Sequence, residues 1–117
     1  TDKPNETWEQ NSSNERRYNF PEFSFDNLKM VNMPHASPMW KKSLHKNYGL
    51  FNQEYRSAGD WEMWLRAASK GSRFMKIKTP LGLYYFNPTG ISTNPENFSW
   101  KRKEEEEIYS KYEDIEL

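Results

Sequence analysis

The clearest pattern of apolar and polar positions lies between Asp60 and Gly71. Apolar residues recur there at intervals of three and four, as on one face of a helix: Trp61, Trp64, Leu65 and Ala68. An Asp suits the cap position at the start of a helix, and a Gly suits the position just past its end. The pattern therefore predicts a helix from about Asp60 to Lys70, with a carboxylate held at its start.

Two segments beyond this helix have the pattern of β-strands. Residues 73–78 alternate polar and apolar side chains, and residues 82–86 are rich in aromatic side chains. Thr79 and Pro80 break the first segment before the second begins. Together with the helix, these segments predict an α+β fold in which a small sheet is packed by helices.

Three further helical segments are predicted from shorter signals. Residues 24–31 form a short helix that Ser24 or Asp26 can cap, and residues 42–47 form a helical turn. The last helix follows a proline, the residue favoured at a first helical position, and covers residues 95–112.

The remaining carboxylates of the helices are predicted to face solvent. The four glutamates of residues 104–107 indicate an exposed helix face, and Glu62 and Arg66 are spaced as a surface ion pair. Glu62 lies about 200° around the helix from Asp60, so the two carboxylates are not expected to share a site.

Composition narrows the classes of protein to which the chain can belong. The chain has 117 residues, enough for one domain, and its 17 basic and 17 acidic residues cancel, which argues against a nucleic-acid-binding protein. No apolar run is long enough to span a membrane. The chain has no cysteine, which fits a cytoplasmic protein. Residues 1–19 are predicted to be a polar tail or linker, and residues 20–117 the folded body.

Three motifs follow one another along the body of the chain. The first motif has two parts: residues 38–44 read Pro-Met-Trp-Lys-Lys-Ser-Leu, and residues 48–52 read Tyr-Gly-Leu-Phe-Asn. The second motif, at the start of the predicted helix, is residues 59–66, Gly-Asp-Trp-Glu-Met-Trp-Leu-Arg. The third motif is residues 83–92, Leu-Tyr-Tyr-Phe-Asn-Pro-Thr-Gly-Ile-Ser. In this order and spacing, residues 34–94 resemble the acceptor-side half of inverting family-two glycosyltransferases of the GT-A type.

The resemblance implies a role for several side chains. Asp60 matches the general base that takes a proton from the acceptor hydroxyl, although Gly59 stands where the family has the first acid of a pair. The side chains placed to bind substrate are His35, Trp40, Trp61 and Tyr84. The implied partners are a nucleotide-sugar donor and a sugar or glycan acceptor. Asp60 taken by itself is better explained as a helix cap.

Other parts of the family's site are missing from the sequence. There is no Asp-x-Asp motif, no βαβ repeat and no Gly-rich phosphate loop. We therefore expect residues 20–117 to be a fragment that is inactive without a donor-binding half and that holds no cofactor by itself. A divalent metal, Mg²⁺ or Mn²⁺, would belong to the intact enzyme, and Asn87 is a weak candidate ligand where relatives have a histidine. The alternative is a non-catalytic carbohydrate- or protein-interaction module.

Overall fold

The computed structural model describes residues 1–11 and 17–117, and the regular secondary structure in these ranges is helical. The helices follow in chain order as α1 (Phe25–Met30), α2 (Ser43–Tyr48), α3 (Gly59–Ser69), a 3₁₀ helix (Pro95–Asn97) and α4 (Phe98–Tyr112). α1, α2 and α4 each pack against α3, which is the central element of the fold. No helix in the described ranges is long and apolar enough to cross a membrane.

The bounds of α3 confirm the helix expected from the sequence. Its end is closed by Gly71, which has a φ of +97° that favours glycine. The amide of Ser72 donates to the carbonyl of Ala67 at 3.1 Å, and that of Gly71 to Ala68 at 3.0 Å, which is the Schellman arrangement. The start of α3 differs from the prediction, because Ala58 occupies the cap position and provides no side-chain hydrogen bond. Asp60 lies in the first turn instead.

The core is built around α3, which is buried on most of its surface. Its buried residues are Trp61, Glu62, Met63, Trp64, Leu65, Ala67 and Ala68. Leu28 of α1 and Ile108 of α4 complete the fully buried centre. The indole Nε1 of Trp61 donates to the carbonyl of Leu28 at 2.7 Å, which attaches α1 to α3. The other short helices are confirmed as well, with Ser24 Oγ capping α1 by accepting the amide of Asn27.

The predicted sheet is absent from residues 1–11 and 17–117, so the α+β fold was wrong. Residues 73–77 do alternate, but positions 74 and 76 face the body: Phe74 stacks on Phe23, and Lys76 donates to the Phe20 carbonyl at 2.7 Å. The apolar odd positions point outward, with Met75 87% and Ile77 63% exposed. A strand needs a neighbour for its backbone groups, and residues 73–78 and 82–86 do not pair with each other.

The N-terminal residues reach the second of these segments. The Thr1 ammonium donates to the Tyr84 carbonyl at 2.6 Å, and the Phe86 amide donates to the Thr1 carbonyl at 2.8 Å. Residues 12–16 of the predicted polar tail lie outside the described residues.

Glu62 and Arg66 are not the surface pair that the sequence predicts. Glu62 is buried and forms two hydrogen bonds with the Arg66 guanidinium, at 2.6 and 3.1 Å, and a third with the Tyr112 hydroxyl at 2.9 Å. Arg66 also donates to the carbonyls of Tyr48 and Leu50. Burial raises the pKa of Glu62, but the hydrogen bonds from Arg66 and Tyr112 outweigh it and leave the pKa below its usual value. Burial and the contact with Glu62 raise the pKa of Tyr112.

Glu104 is the second carboxylate whose predicted exposure was wrong. It lies buried on the inner face of α4, whereas the following glutamates of residues 105–107 are half-buried or exposed. Its oxygens accept the backbone amides of Arg56, Ser57 and Ala58 at 2.6–2.9 Å. The helix period explains why Glu104 differs from the other three glutamates. Four consecutive residues cover a full turn, so one of them must face inward.

The packing of α3 predicts a contrast between two methionines. Met63 is fully buried in the core, whereas Met30 at the end of α1 is 76% exposed. Met63→Ala should lower the free energy of unfolding by about 2–5 kcal/mol, because it leaves a cavity in addition to losing apolar contacts. Met30→Ala should change it by less than about 0.5 kcal/mol. Urea unfolding followed by circular dichroism measures both; equal losses would contradict the central position of α3.

Candidate functional site

Asp60 is a partly exposed carboxylate held by two hydrogen bonds. Its Oδ2 accepts the Asn32 side-chain Nδ2 at 3.0 Å, and its Oδ1 accepts the Trp61 amide at 2.7 Å. None of the salt bridges formed by residues 1–11 and 17–117 involves Asp60. A carboxylate has about four lone-pair positions, so Asp60 retains acceptor capacity for another group.

His35 belongs to a cluster of rings that we call the His35 cluster: Tyr18, Phe20, His35 and Tyr84. The His35 amide donates to the carbonyl of Asn32, whose side chain binds Asp60. The His35 ring centroid lies 4.5 Å from that of Tyr18, 5.2 Å from Phe20 and 4.8 Å from Tyr84. His35 has a φ of +51°, a backbone conformation that costs energy for a residue other than glycine. Burial lowers the pKa of His35, and the nearby negative charge of Asp60 offsets part of this effect.

A second aromatic cluster, the Trp40 cluster, lies one helical turn further along α3: Trp40, His45, Phe51 and Trp64. Asp60 and Trp64 are four residues apart on α3, so they share a face with about 5–6 Å between their Cβ atoms. The Trp40 ring meets Trp64 edge to face at 4.9 Å. Trp40 remains 41% exposed, so its ring is open to a ligand.

The exposed ring of Trp40 is fixed in place by hydrogen bonds. Its Nε1 donates to His45 Nε2 at 3.0 Å, and His45 Nδ1 lies 3.0 Å from the carbonyl of Gly49. The two nitrogens of the His45 ring therefore link the Trp40 indole to the carbonyl of Gly49. A ring held this way loses little freedom when a ligand stacks on it.

The structure places the residues that the sequence suggested in two groups. His35 packs against Tyr84 in the His35 cluster, and Trp40 packs against Trp64, which lies one helical turn from Asp60 on α3. Trp61 is in the core, with its Nε1 bound to a backbone carbonyl, so it offers no surface to a ligand.

Asn87 is engaged in a turn of its own. Its Oδ1 accepts both the amide and the hydroxyl of Thr89, at 3.0 and 2.9 Å. In the described ranges, no three His, Asp or Glu side chains are grouped as metal ligands. Asn87, whose side-chain oxygen is already bound by Thr89, therefore does not fit the role of a metal ligand.

The sequence did not point to three residues that contact the predicted site residues: Asn32, Phe51 and Tyr18. Asn32 follows the end of α1 and belongs to no motif, and Phe51 was assigned only to a turn. Tyr18 fell within the predicted tail, although its spacing of two from Phe20 places both on one side of an extended segment, as the stacked rings show. That spacing was the one available signal.

A groove of about 820 Å³ lies apart from Asp60. It opens between α1, the end of α3 and the C-terminus, with both basic and acidic side chains at its rim: Asp26, Lys29, Arg73, Glu113 and Glu116. None of the predicted site residues lines it.

No protein-family model matches the chain, and no curated protein or solved structure matches it either. What can be said about function therefore depends on the arrangement around Asp60 and on the sequence motifs.

The burial of His35 predicts a pH dependence of stability. Because its pKa is lower in the folded protein than the ordinary value of 6.5, the unfolded chain binds the proton more readily. The stability that His35 contributes is present above pH 6.5 and is lost as the pH falls toward the folded pKa.

His35→Asn removes this titration, and asparagine tolerates the positive φ. The variant should lose less melting temperature than the wild type between pH 7.5 and pH 5.5, as measured by calorimetry. An identical loss in both proteins would show that His35 titrates alike in the folded and unfolded states.

Proposed function

We propose that this chain is the acceptor-binding and general-base portion of a nucleotide-sugar-dependent glycosyltransferase. The observation that carries the proposal is the state of Asp60, a partly exposed carboxylate with spare acceptor capacity, which shares a face of α3 with Trp64, the residue that Trp40 packs against. The sequence motifs supply the expectation of sugar transfer, and this arrangement supports it.

Asp60 suits the role of a general base. Its hydrogen bond with Asn32 sets the orientation of the carboxylate, and no lysine or arginine among the described residues forms a salt bridge with it. A base must lie within hydrogen-bonding distance of the proton that it removes. Its partial exposure at the first turn of α3 lets an acceptor hydroxyl approach that closely.

The two aromatic clusters suit the acceptor. Sugar rings present C–H faces that stack on aromatic rings and hydroxyls that need polar partners. Trp40 offers a partly exposed indole, and Tyr18 and Tyr84 offer rings with hydroxyls.

The proposed step is a single in-line displacement. The acceptor oxygen forms a bond to the anomeric carbon of the donor sugar while its proton passes to the Asp60 carboxylate. The bond from the anomeric carbon to the phosphate oxygen breaks, and the nucleoside diphosphate leaves with the electron pair. This chain supplies the proton acceptor and the acceptor surface, and we expect the isolated chain neither to transfer sugar nor to hydrolyse nucleotide-sugars.

The main test is Asp60→Asn in the transferase that also contains the donor-binding half. The amide keeps an oxygen for the Trp61 amide, and Asn32 can turn its own side chain, since its Oδ1 has no partner among the described residues. The fold should therefore persist without the proton acceptor. Turnover should fall by at least about 100-fold, because general-base catalysis contributes about 10²- to 10⁴-fold.

Asp114→Asn is the matched control, because this aspartate is exposed and lies beyond the end of α4. Release of nucleoside diphosphate is the measurement. Near-normal turnover of Asp60→Asn, with acceptor binding retained, would instead favour a non-catalytic carbohydrate-binding module.

A second test addresses the Trp40 cluster in the isolated chain. Trp40→Ala should weaken binding of acceptor glycans by about two- to tenfold, because an aromatic contact is worth about 0.5–1.5 kcal/mol beyond its area. Trp40→Phe should retain part of the affinity. Trp8→Ala is the control, since Trp8 is equally an exposed indole but lies in the N-terminal segment. Titration of a glycan panel by nuclear magnetic resonance measures the affinities; equal effects at both tryptophans would count against the cluster.

A further inference from the structure

One stripe of α4 holds the segment of residues 55–58 that leads into α3. Arg56 stacks over the Trp100 ring with 4.2 Å between its guanidinium carbon and the ring centroid. One turn later, Glu104 accepts the backbone amides of residues 56–58. A further turn on, the Tyr55 hydroxyl donates to Glu107 at 3.3 Å and accepts from Lys111. The stripe therefore fixes the four residues that stand just before Gly59 and Asp60.

Glu104 is the strongest of these contacts. Its Oε1 accepts the amides of Ser57 at 2.8 Å and Ala58 at 2.6 Å, and its Oε2 accepts the amide of Arg56 at 2.9 Å. Hydrogen bonds to a carboxylate are stronger than those between neutral groups, and the Glu104 side chain is buried. One side chain thus sets the path of three successive peptide units.

The start of α3 depends on this outside support. Its cap residue, Ala58, has no side-chain acceptor for the first free amides of the helix. The first helical residue is Gly59, which restrains the backbone less than any other residue. Asp60 comes next, so its position follows from where residues 56–58 are held.

We propose that Glu104 is the positioning residue for Asp60: from α4 it holds the backbone at the start of α3 and thereby aligns the Asp60 carboxylate with Asn32. The catalytic meaning of this alignment rests on the proposed function, whereas the alignment itself is a property of the chain as it stands.

The test uses a reporter beside Asp60. The side-chain NH₂ of Asn32 donates to Asp60 Oδ2, so its resonances in nuclear magnetic resonance spectra respond to a displacement of the carboxylate. Glu104→Gln turns an amide donor toward one of the three backbone amides. It should shift the Asn32 side-chain resonances and raise the hydrogen-exchange rate of the residue 56–58 amides by about tenfold or more.

Glu104→Asp is the second variant, in case the amide variant does not fold. It keeps the charge but shortens the side chain by one bond of about 1.5 Å, which must draw residues 56–58 toward α4 or lengthen their hydrogen bonds. It should therefore move the same Asn32 resonances while the protein remains folded.

Two control variants lie on the same helix. Glu106→Gln makes the same change of charge at an exposed position about 200° around α4 and should leave the reporter unchanged. Ile108→Val weakens the core beside Glu104 without touching its hydrogen bonds, so it measures the effect of lowered stability alone. If neither Glu104 variant moves the Asn32 resonances more than Ile108→Val does, the proposal is overturned.

The outcome separates this proposal from the proposed function, because the reporter requires no enzymatic activity. Displacement of Asn32 together with normal turnover of Asp60→Asn would keep the positioning role and remove the catalytic one. If the Asn32 resonances do not move and Asp60→Asn is inactive, the catalytic role of Asp60 stands and the positioning role of Glu104 is removed.

Discussion

The fold depends on a buried ionic network at the centre of α3. Glu62 and Arg66 bind each other, and Arg66 reaches the carbonyls of residues 48 and 50, while the Tyr112 hydroxyl binds Glu62 from α4. Three separate parts of the chain meet in this network. Removing one partner of such a pair typically costs about 3–5 kcal/mol, since the other charge stays buried without compensation. The described residues contain few aliphatic side chains and no sheet. The hydrogen bonds of the network therefore fix how α3 is oriented against its neighbours, which apolar packing alone would not do.

Fixing α3 from several sides has a consequence for the site. The helix cannot rotate about its axis without breaking the contacts of Arg66 or those of Glu104, so the face that carries Asp60 and Trp64 keeps its direction. The two aromatic clusters then attach to that face, the Trp40 cluster through Trp64 and the His35 cluster through the turn after α1. A site whose residues come from separated segments is thus held by one rigid helix, as preorganised binding requires.

Sequence patterns predicted the helices well and the sheet badly, for a physical reason. A helix satisfies its own backbone, so capping and periodicity within one segment suffice to locate α3 and its end at Gly71. A strand requires a partner, and the alternation of residues 73–78 says nothing about where that partner lies. The sequence also failed to predict that Glu62 and Glu104 are buried. Their charge and their spacing along the helices are those of exposed residues. Glu62 has a partner on its own helix, Arg66, but the contacts that cover both glutamates come from 46 or more residues away in the chain, in Tyr112 and in the backbone of residues 56–58.

The same distant contacts explain why two carboxylates at neighbouring positions differ in chemistry. Arg66 and Tyr112 donate hydrogen bonds to the Glu62 carboxylate. These bonds stabilise its charged form, so its pKa lies below the usual value. Asp60, on the opposite face of the same helix, has only Asn32 and one backbone amide as donors among the described residues. A carboxylate that is already saturated with hydrogen bonds stabilises structure, whereas one that keeps lone pairs can accept a further hydrogen bond. The difference follows from which face of α3 meets α4.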